Sequence, residues 1–206
     1  MMSPERLLKS AKEGRLAERG ALFDQYRNYL RFLARVHVGT RLQGKVDASD
    51  VVQDALLDAH QHFAQFAGTS ERQLLHWLRS ILASHVANLL RHYFGTKGRD
   101  VRLERRLELH LSRTSSTLGG DLADSVSTPS QGAVRREQEV LLADALERLP
   151  ADYRDVIILR HLEELPFSAV AVRMNRSLDS VEKLWVRGLA QLRQLLGPGA
   201  DDQRRG

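Results

Sequence analysis

Three donor side chains recur through the first turns of one segment, 178–196. They are Ser180, Lys183 and Arg187, with Glu182 among them. Cationic and hydroxyl groups at this spacing can donate to phosphate oxygens and to acceptor edges of bases. The segment closes a longer stretch, Phe167 to Leu196, FSAVAVRMNRSLDSVEKLWVRGLAQLRQLL. It reads as a short helix, a tight turn and a longer helix, the layout of a helix-turn-helix whose second helix enters a DNA major groove. Asn175 falls where the turn needs a residue tolerant of positive φ. Ser177 is placed to cap the long helix, and Asp179 complements its dipole. Val181, Trp185, Leu189, Leu192 and Leu196 make one apolar stripe that must face a core, so Trp185 is assigned to packing. Ser180, Glu182, Lys183 and Arg187 occupy other faces, where a groove-bound helix would reach bases and phosphates. The competing reading is an ordinary solvated helix surface.

Other chemistries find little support. There is no cysteine, which excludes disulfides, thiolate metal sites and cysteine nucleophiles. Of eight histidines, His60 and His62 do not share a helix face, and His85 and His92 could but lack a third ligand. No His-Glu-x-x-His, Gly-rich phosphate loop or Gly-x-Ser-x-Gly elbow occurs. Glu163 and Glu164 are adjacent and diverge on a helix. No metal, cofactor, small-molecule substrate or catalysis is therefore expected.

At 206 residues the chain has room for one or two domains. No apolar run approaches a membrane span. The N-terminus is charged and lacks an apolar signal core, so a cytoplasmic location is expected. Residues 1–103 carry 16 Lys and Arg against 10 Asp and Glu, and residues 104–206 carry 15 against 16. Within the second half, 166–196 is again basic, with 5 cations against 2 anions. Two separate basic regions suit a polyanion-binding protein with two contact surfaces.

The elements that position these groups all read as helices, and the fold class is all-α. Helices are expected over about Pro4–Glu13, Leu16–Val38, the segment after Asp47 to Phe66, Glu71–Phe94, Ala133–Arg148, Ala151–His161, Phe167–Met174 and Leu178–Leu196. Residues 112–132 are rich in Ser, Thr and Gly and read as flexible. The resulting division is a first domain at 1–103, a flexible linker at 104–134, a second domain at 135–197 and a frayed tail at 198–206.

Two stretches together resemble the extracytoplasmic-function (ECF) group of bacterial sigma factors. One is LADALERLPADYRDVIILRHLEEL followed by the helix-turn-helix, within residues 138–196; the other is DASDVVQDALLDAHQHFAQF and, after a loop, LLHWLRSILASHVANLLRHY, within 18–100. The resemblance implies that the first domain docks on RNA polymerase core and opens the −10 promoter element, while the second binds the −35 element as duplex. Asp50, Gln53 and Asp54 match the family's polymerase-docking motif and lie opposite the Val52, Leu56 and Phe63 stripe. Gly68, Thr69 and Ser70 match the loop that captures a flipped −10 base, where small residues suit a pocket of backbone N–H groups. Trp77 matches a position the family uses, although its place favours packing. Asn88, Arg91 and His92 are expected to meet the −10 strand, with Lys97, Arg99 and Arg102 just after.

Some residues depart from the family pattern. Asn175 stands where many members have Gly, Leu184 where they usually have a basic residue, and Ser84 where Asn is frequent; Glu182 is acidic on the DNA side. The implied partners are RNA polymerase core, promoter DNA and an anti-sigma factor. A stand-alone helix-turn-helix regulator and a helical adaptor are the other classes the residues allow.

Overall fold

The computed structural model describes residues 3–39, 46–94, 101–118 and 135–197, and these are helical with short turns. The chain divides into two compact units, Met1–Arg113 and Thr114–Gly206.

In the first unit, α1 (Pro4–Lys12) begins at Ser3, whose hydroxyl caps the backbone N–H of Arg6, with Pro4 where a missing N–H costs nothing. The long helix α2 (Leu16–Gly39) is central and packs on α1, α3 (Ala48–His62) and α4 (Glu71–Phe94). Its core face presents Leu22, Phe23, Tyr26, Tyr29, Leu30 and Leu33, all essentially inaccessible. Val52, Leu56, Ala59, Phe63 and Phe66 are buried as their spacing predicts. The α-helix nevertheless stops at His62, and Phe63–Gln65 tighten into a single 3₁₀ turn. Asp47 caps α3 by accepting from the Ser49 N–H at 2.8 Å. That bond is the main cause holding its carboxyl below the usual range.

The expected linker needs correction. Residues Val101–Thr117 form α5, so flexibility does not describe 104–117, and the boundary between units falls inside this helix at 113/114 rather than at 103. The reason is an apolar repeat, Leu107, Leu111 and Leu118, buried in the structure but diluted in the sequence by Ser and Thr. Residues 119–134 and 198–206, and with them the rest of the linker and the tail, lie outside the described residues. So do Lys97 and Arg99.

The second unit contains α6 (Arg135–Arg148), α7 (Ala151–Ile157), α8 (Phe167–Met174) and α9 (Leu178–Leu196). After Ile157 the helix loosens into a π-helical turn, Ile158–Leu162. Helix α9 packs on α6, α7 and α8. Val181, Leu189 and Leu192 are buried, as are Leu142, Leu146, Val156, Ile157 and Val170, in the core of this unit. Gly188 permits the approach to α7: a Cβ there would stand 3.3 Å from Ile157 Cδ1 and from the Tyr153 carbonyl oxygen.

Candidate nucleic-acid interface

Local chemistry fixes the helix-turn-helix. Asn175 adopts the left-handed conformation at φ 52°, ψ 49°, ending α8, and Ser177 accepts from the Ser180 N–H at 3.3 Å, starting α9. The turn is pinned from outside by Arg176, whose Nη2 lies 2.6 Å from Asp152 Oδ2 at the start of α7. Behind α9, Trp185 is half-buried. Its ring stacks on His161 at 6.0 Å and meets Phe167 edge-on at 5.5 Å. The Trp185 Nε1–H donates to His161 Nε2 at 3.1 Å. Burial, with Arg160 beside it, lowers the pKa of His161 and keeps the imidazole neutral, as an acceptor nitrogen requires. Arg160 itself lies over the Phe167 ring at 4.9 Å.

The outward side of α9 carries Lys183 and Arg187 exposed, with Ser180 partly so. At about 100° per residue these three fall within an arc of about 60°. Glu182 stands about 100° from Lys183 and does not share that ridge. Lys183 is paired along the helix with Asp179 at 2.7 Å, an exposed contact of small energetic weight. Val186, 58% exposed, lies between Glu182 and Lys183 and escaped the charge-based reading.

In the first unit, loop 67–70 is shaped by its neighbours. Gly68 has no room for a side chain, since a Cβ would collide with the Phe66 ring and sit 2.8 Å from Gln73 Cβ. Gln73 Oε1 accepts from the Thr69 N–H at 2.8 Å, the Ser70 N–H at 3.2 Å and the Ser70 hydroxyl at 3.1 Å. Ser70 Oγ accepts in return from the Gln73 N–H at 3.4 Å, completing a capping box at the start of α4. The expected pocket of open backbone donors is thus corrected: two of those donors are engaged by Gln73. The spacing of Ser70 and Gln73 was the signal that could have shown it. Glu71 is held from behind by the Tyr26 hydroxyl, which donates at 2.9 Å. Burial, and then the Glu71 carboxylate, push the Tyr26 pKa far above the ordinary phenol range.

Along α4, Gln73, Trp77, Ser84, Asn88 and Arg91 lie within about 60° of one another, with His92 about 40° beyond Asn88. Trp77 is half-buried, 5.1 Å from Phe66 and 6.2 Å from Phe63 ring to ring, so packing accounts for one side of it. Lys12 approaches the same cluster, its Nζ 5.3 Å from the Phe66 centroid. Asn88 and His92 are exposed. Arg91 is engaged: it donates to Asn88 Oδ1 and, at 3.2 Å, to Glu104 Oε1 on α5.

On α3, Asp50, Gln53 and Asp54 are exposed and share a ridge with Gln61. At its centre is Leu57, 57% exposed, which sequence reasoning missed. A polar ridge around one apolar side chain resembles the anatomy of a protein contact surface. At its flank Asp58 pairs with two histidines, His62 at 2.6 Å and His85 at 3.2 Å. Among the described residues no group of three or more His, Asp or Glu could hold a metal ion, and no helix is long and apolar enough to cross a membrane.

The family model for sigma-70 region 4 matches residues 139–192, covering α6 to α9. The chain is 25% identical over 197 residues to the ECF RNA polymerase sigma-E factor of Haemophilus influenzae, spanning 96% of this chain and 97% of that protein. It is 26% identical over 151 residues to the RNA polymerase sigma factor CarQ of Myxococcus xanthus, spanning 73% and 75%. A solved flagellar sigma/anti-sigma complex, Sigma-28/FlgM, shares 16% identity with a TM-score of 0.35, over 89% of this chain and 97% of that one, a likeness too loose for residue-level comparison. The described residues are helical, the helix-turn-helix lies inside the region matched to sigma-70 region 4, and the chain is similar along nearly its whole length to an ECF sigma factor.

Proposed function

We propose that this chain is a promoter-specific transcription initiation factor that acts with RNA polymerase core in the cytoplasm. The observation that carries the reading is the match to sigma-70 region 4 on the helix-turn-helix unit, together with a sigma-E relative aligned along nearly the whole chain. In this reading the first unit docks on core through the α3 ridge, Asp50, Gln53, Asp54 and Leu57. Loop 67–70 and the α4 ridge receive the −10 strand, and α9 reads the −35 duplex through Ser180, Lys183 and Arg187. Glu182 borders that contact rather than forming it. The chain performs no bond chemistry of its own: binding to polymerase and to two promoter elements offsets the few kcal/mol needed to extrude a base.

The test is binding of the fluorescently labelled full chain to purified bacterial RNA polymerase core. Saturable, stoichiometric binding is expected, weakened by Asp54→Ala. A chain that ignores core yet binds duplex promoter fragments tightly by itself would instead be a stand-alone regulator.

A further inference from the structure

Helix α5 places acid against base on the face assigned to the −10 strand. Glu104 Oε1 is 3.2 Å from Arg91 Nη1, and both side chains are largely shielded, 17% and 14% exposed. One turn further along α5, Glu108 Oε1 is 3.6 Å from His76 Nε2. His76 and Arg91 lie 15 residues apart on α4, whereas the two glutamates are four apart on α5, so the two side-chain pairs tie one short stretch of α5 to two separate points of α4. Leu107, between the glutamates, and Leu111 are buried, which anchors α5. The other side of α5 exposes Arg102, Arg105 and Arg106. This segment therefore turns its carboxylates toward α4 and its guanidinium groups outward.

We propose that α5 is a latch on the −10 face: the Glu104 carboxylate occupies the Arg91 guanidinium as a strand phosphate would, and strand binding displaces it. The inference rests on the reading of α4 as the −10 surface. A guanidinium takes a carboxylate or a phosphate with the same planar donors, so the two acceptors compete for one group. Arg91 also donates to Asn88 through its other terminal nitrogen, so the guanidinium stays oriented on α4 when Glu104 leaves. A free factor would thereby bind single strands weakly until α5 is drawn away.

The test measures binding of the free full chain to a labelled, random-sequence single-stranded 15-mer across a salt series. Glu104→Gln keeps the side-chain shape and removes its charge. It is expected to raise affinity roughly fivefold, about 1 kcal/mol, and to steepen the log–log salt slope by about 0.7, one added phosphate contact. The gain should vanish in an Arg91→Ala background. Unchanged affinity and slope would overturn the latch, as would a gain that persists without Arg91, which would reflect net charge alone. Should Glu104→Gln melt the helix, hydrogen exchange of the wild-type chain decides. Amides of 103–113 should exchange faster when the 15-mer binds, and unchanged protection would overturn the proposal. Core binding and transcription are scored separately, so loss of those with an intact latch response would count against the initiation-factor reading alone.

Discussion

Trp185 donates its indole N–H to His161 Nε2 at 3.1 Å, joining α9 to the π-helical turn after α7. The bond exists only while that nitrogen is unprotonated. Burial lowers the His161 pKa, so the folded state binds fewer protons here than the unfolded chain. The contribution is fully present above about 6.5, the ordinary histidine value, and is lost as pH falls through the depressed folded value. The melting temperature should drop between pH 7 and 5, and Trp185 fluorescence should change over the same window in a Trp77→Phe background. His161→Gln, which keeps an acceptor that does not titrate, should flatten the Trp185 response. An unaltered fluorescence titration in that variant would show that the response originates elsewhere.

Gln73 organises loop 67–70 from one oxygen. Gln73→Ala removes the acceptor for two backbone N–H groups and a hydroxyl, and should cost about 0.5–2 kcal/mol of stability by denaturant unfolding. Gln73→Glu retains the acceptor and should stay close to wild type. With polymerase, the alanine variant should open duplex promoters more slowly while remaining near normal on a template already mismatched at −10. Equal losses on both templates would place the defect outside the loop.

The docking proposed for the α3 ridge can be tested separately from folding. Leu57 is exposed and makes little core, so Leu57→Ala should alter stability by no more than about 0.5 kcal/mol. Its affinity for polymerase core should fall severalfold, more than for Asp54→Ala, because an isolated exposed ion pair is worth only about 0.2–1 kcal/mol. Titration of core with each labelled variant measures this. Undiminished affinity for Leu57→Ala would remove that residue from the contact.

On α9 the ridge geometry separates Arg187 from Glu182. Arg187→Ala should weaken binding to −35 duplex and reduce its log–log salt slope by about 0.9. Glu182→Ala, off the ridge, should leave affinity unchanged or slightly improved. A large loss with Glu182→Ala would mean that the helix enters the groove by another face.

Much of this architecture is legible in the sequence because helical periodicity and local caps agree. Glu71–Phe94, Phe167–Met174 and Leu178–Leu196 match their expected bounds, and Asn175 and Ser177 perform the turn and cap roles their side chains suit. What was not legible depends on contacts far apart in the chain. Helix α5 was hidden because Ser and Thr outnumber the leucines that anchor it. The engagement of Arg91 by Glu104 joins residues 13 apart on two different helices, and no local pattern announces it. Leu57 was overlooked because an exposed leucine carries no charge signal and occupies a position that periodicity leaves blank. Gln73 could have been read, since Ser-x-x-Gln at a helix start is a known reciprocal cap.

The measurement closest to the central claim is transcription in vitro with purified RNA polymerase core on a pool of genomic fragments, with and without the full chain. Discrete starts that need both components, with shared sequences near −10 and −35 upstream of them, are the predicted result. No core-dependent starts, alongside retention of duplex fragments by the chain alone, would contradict it.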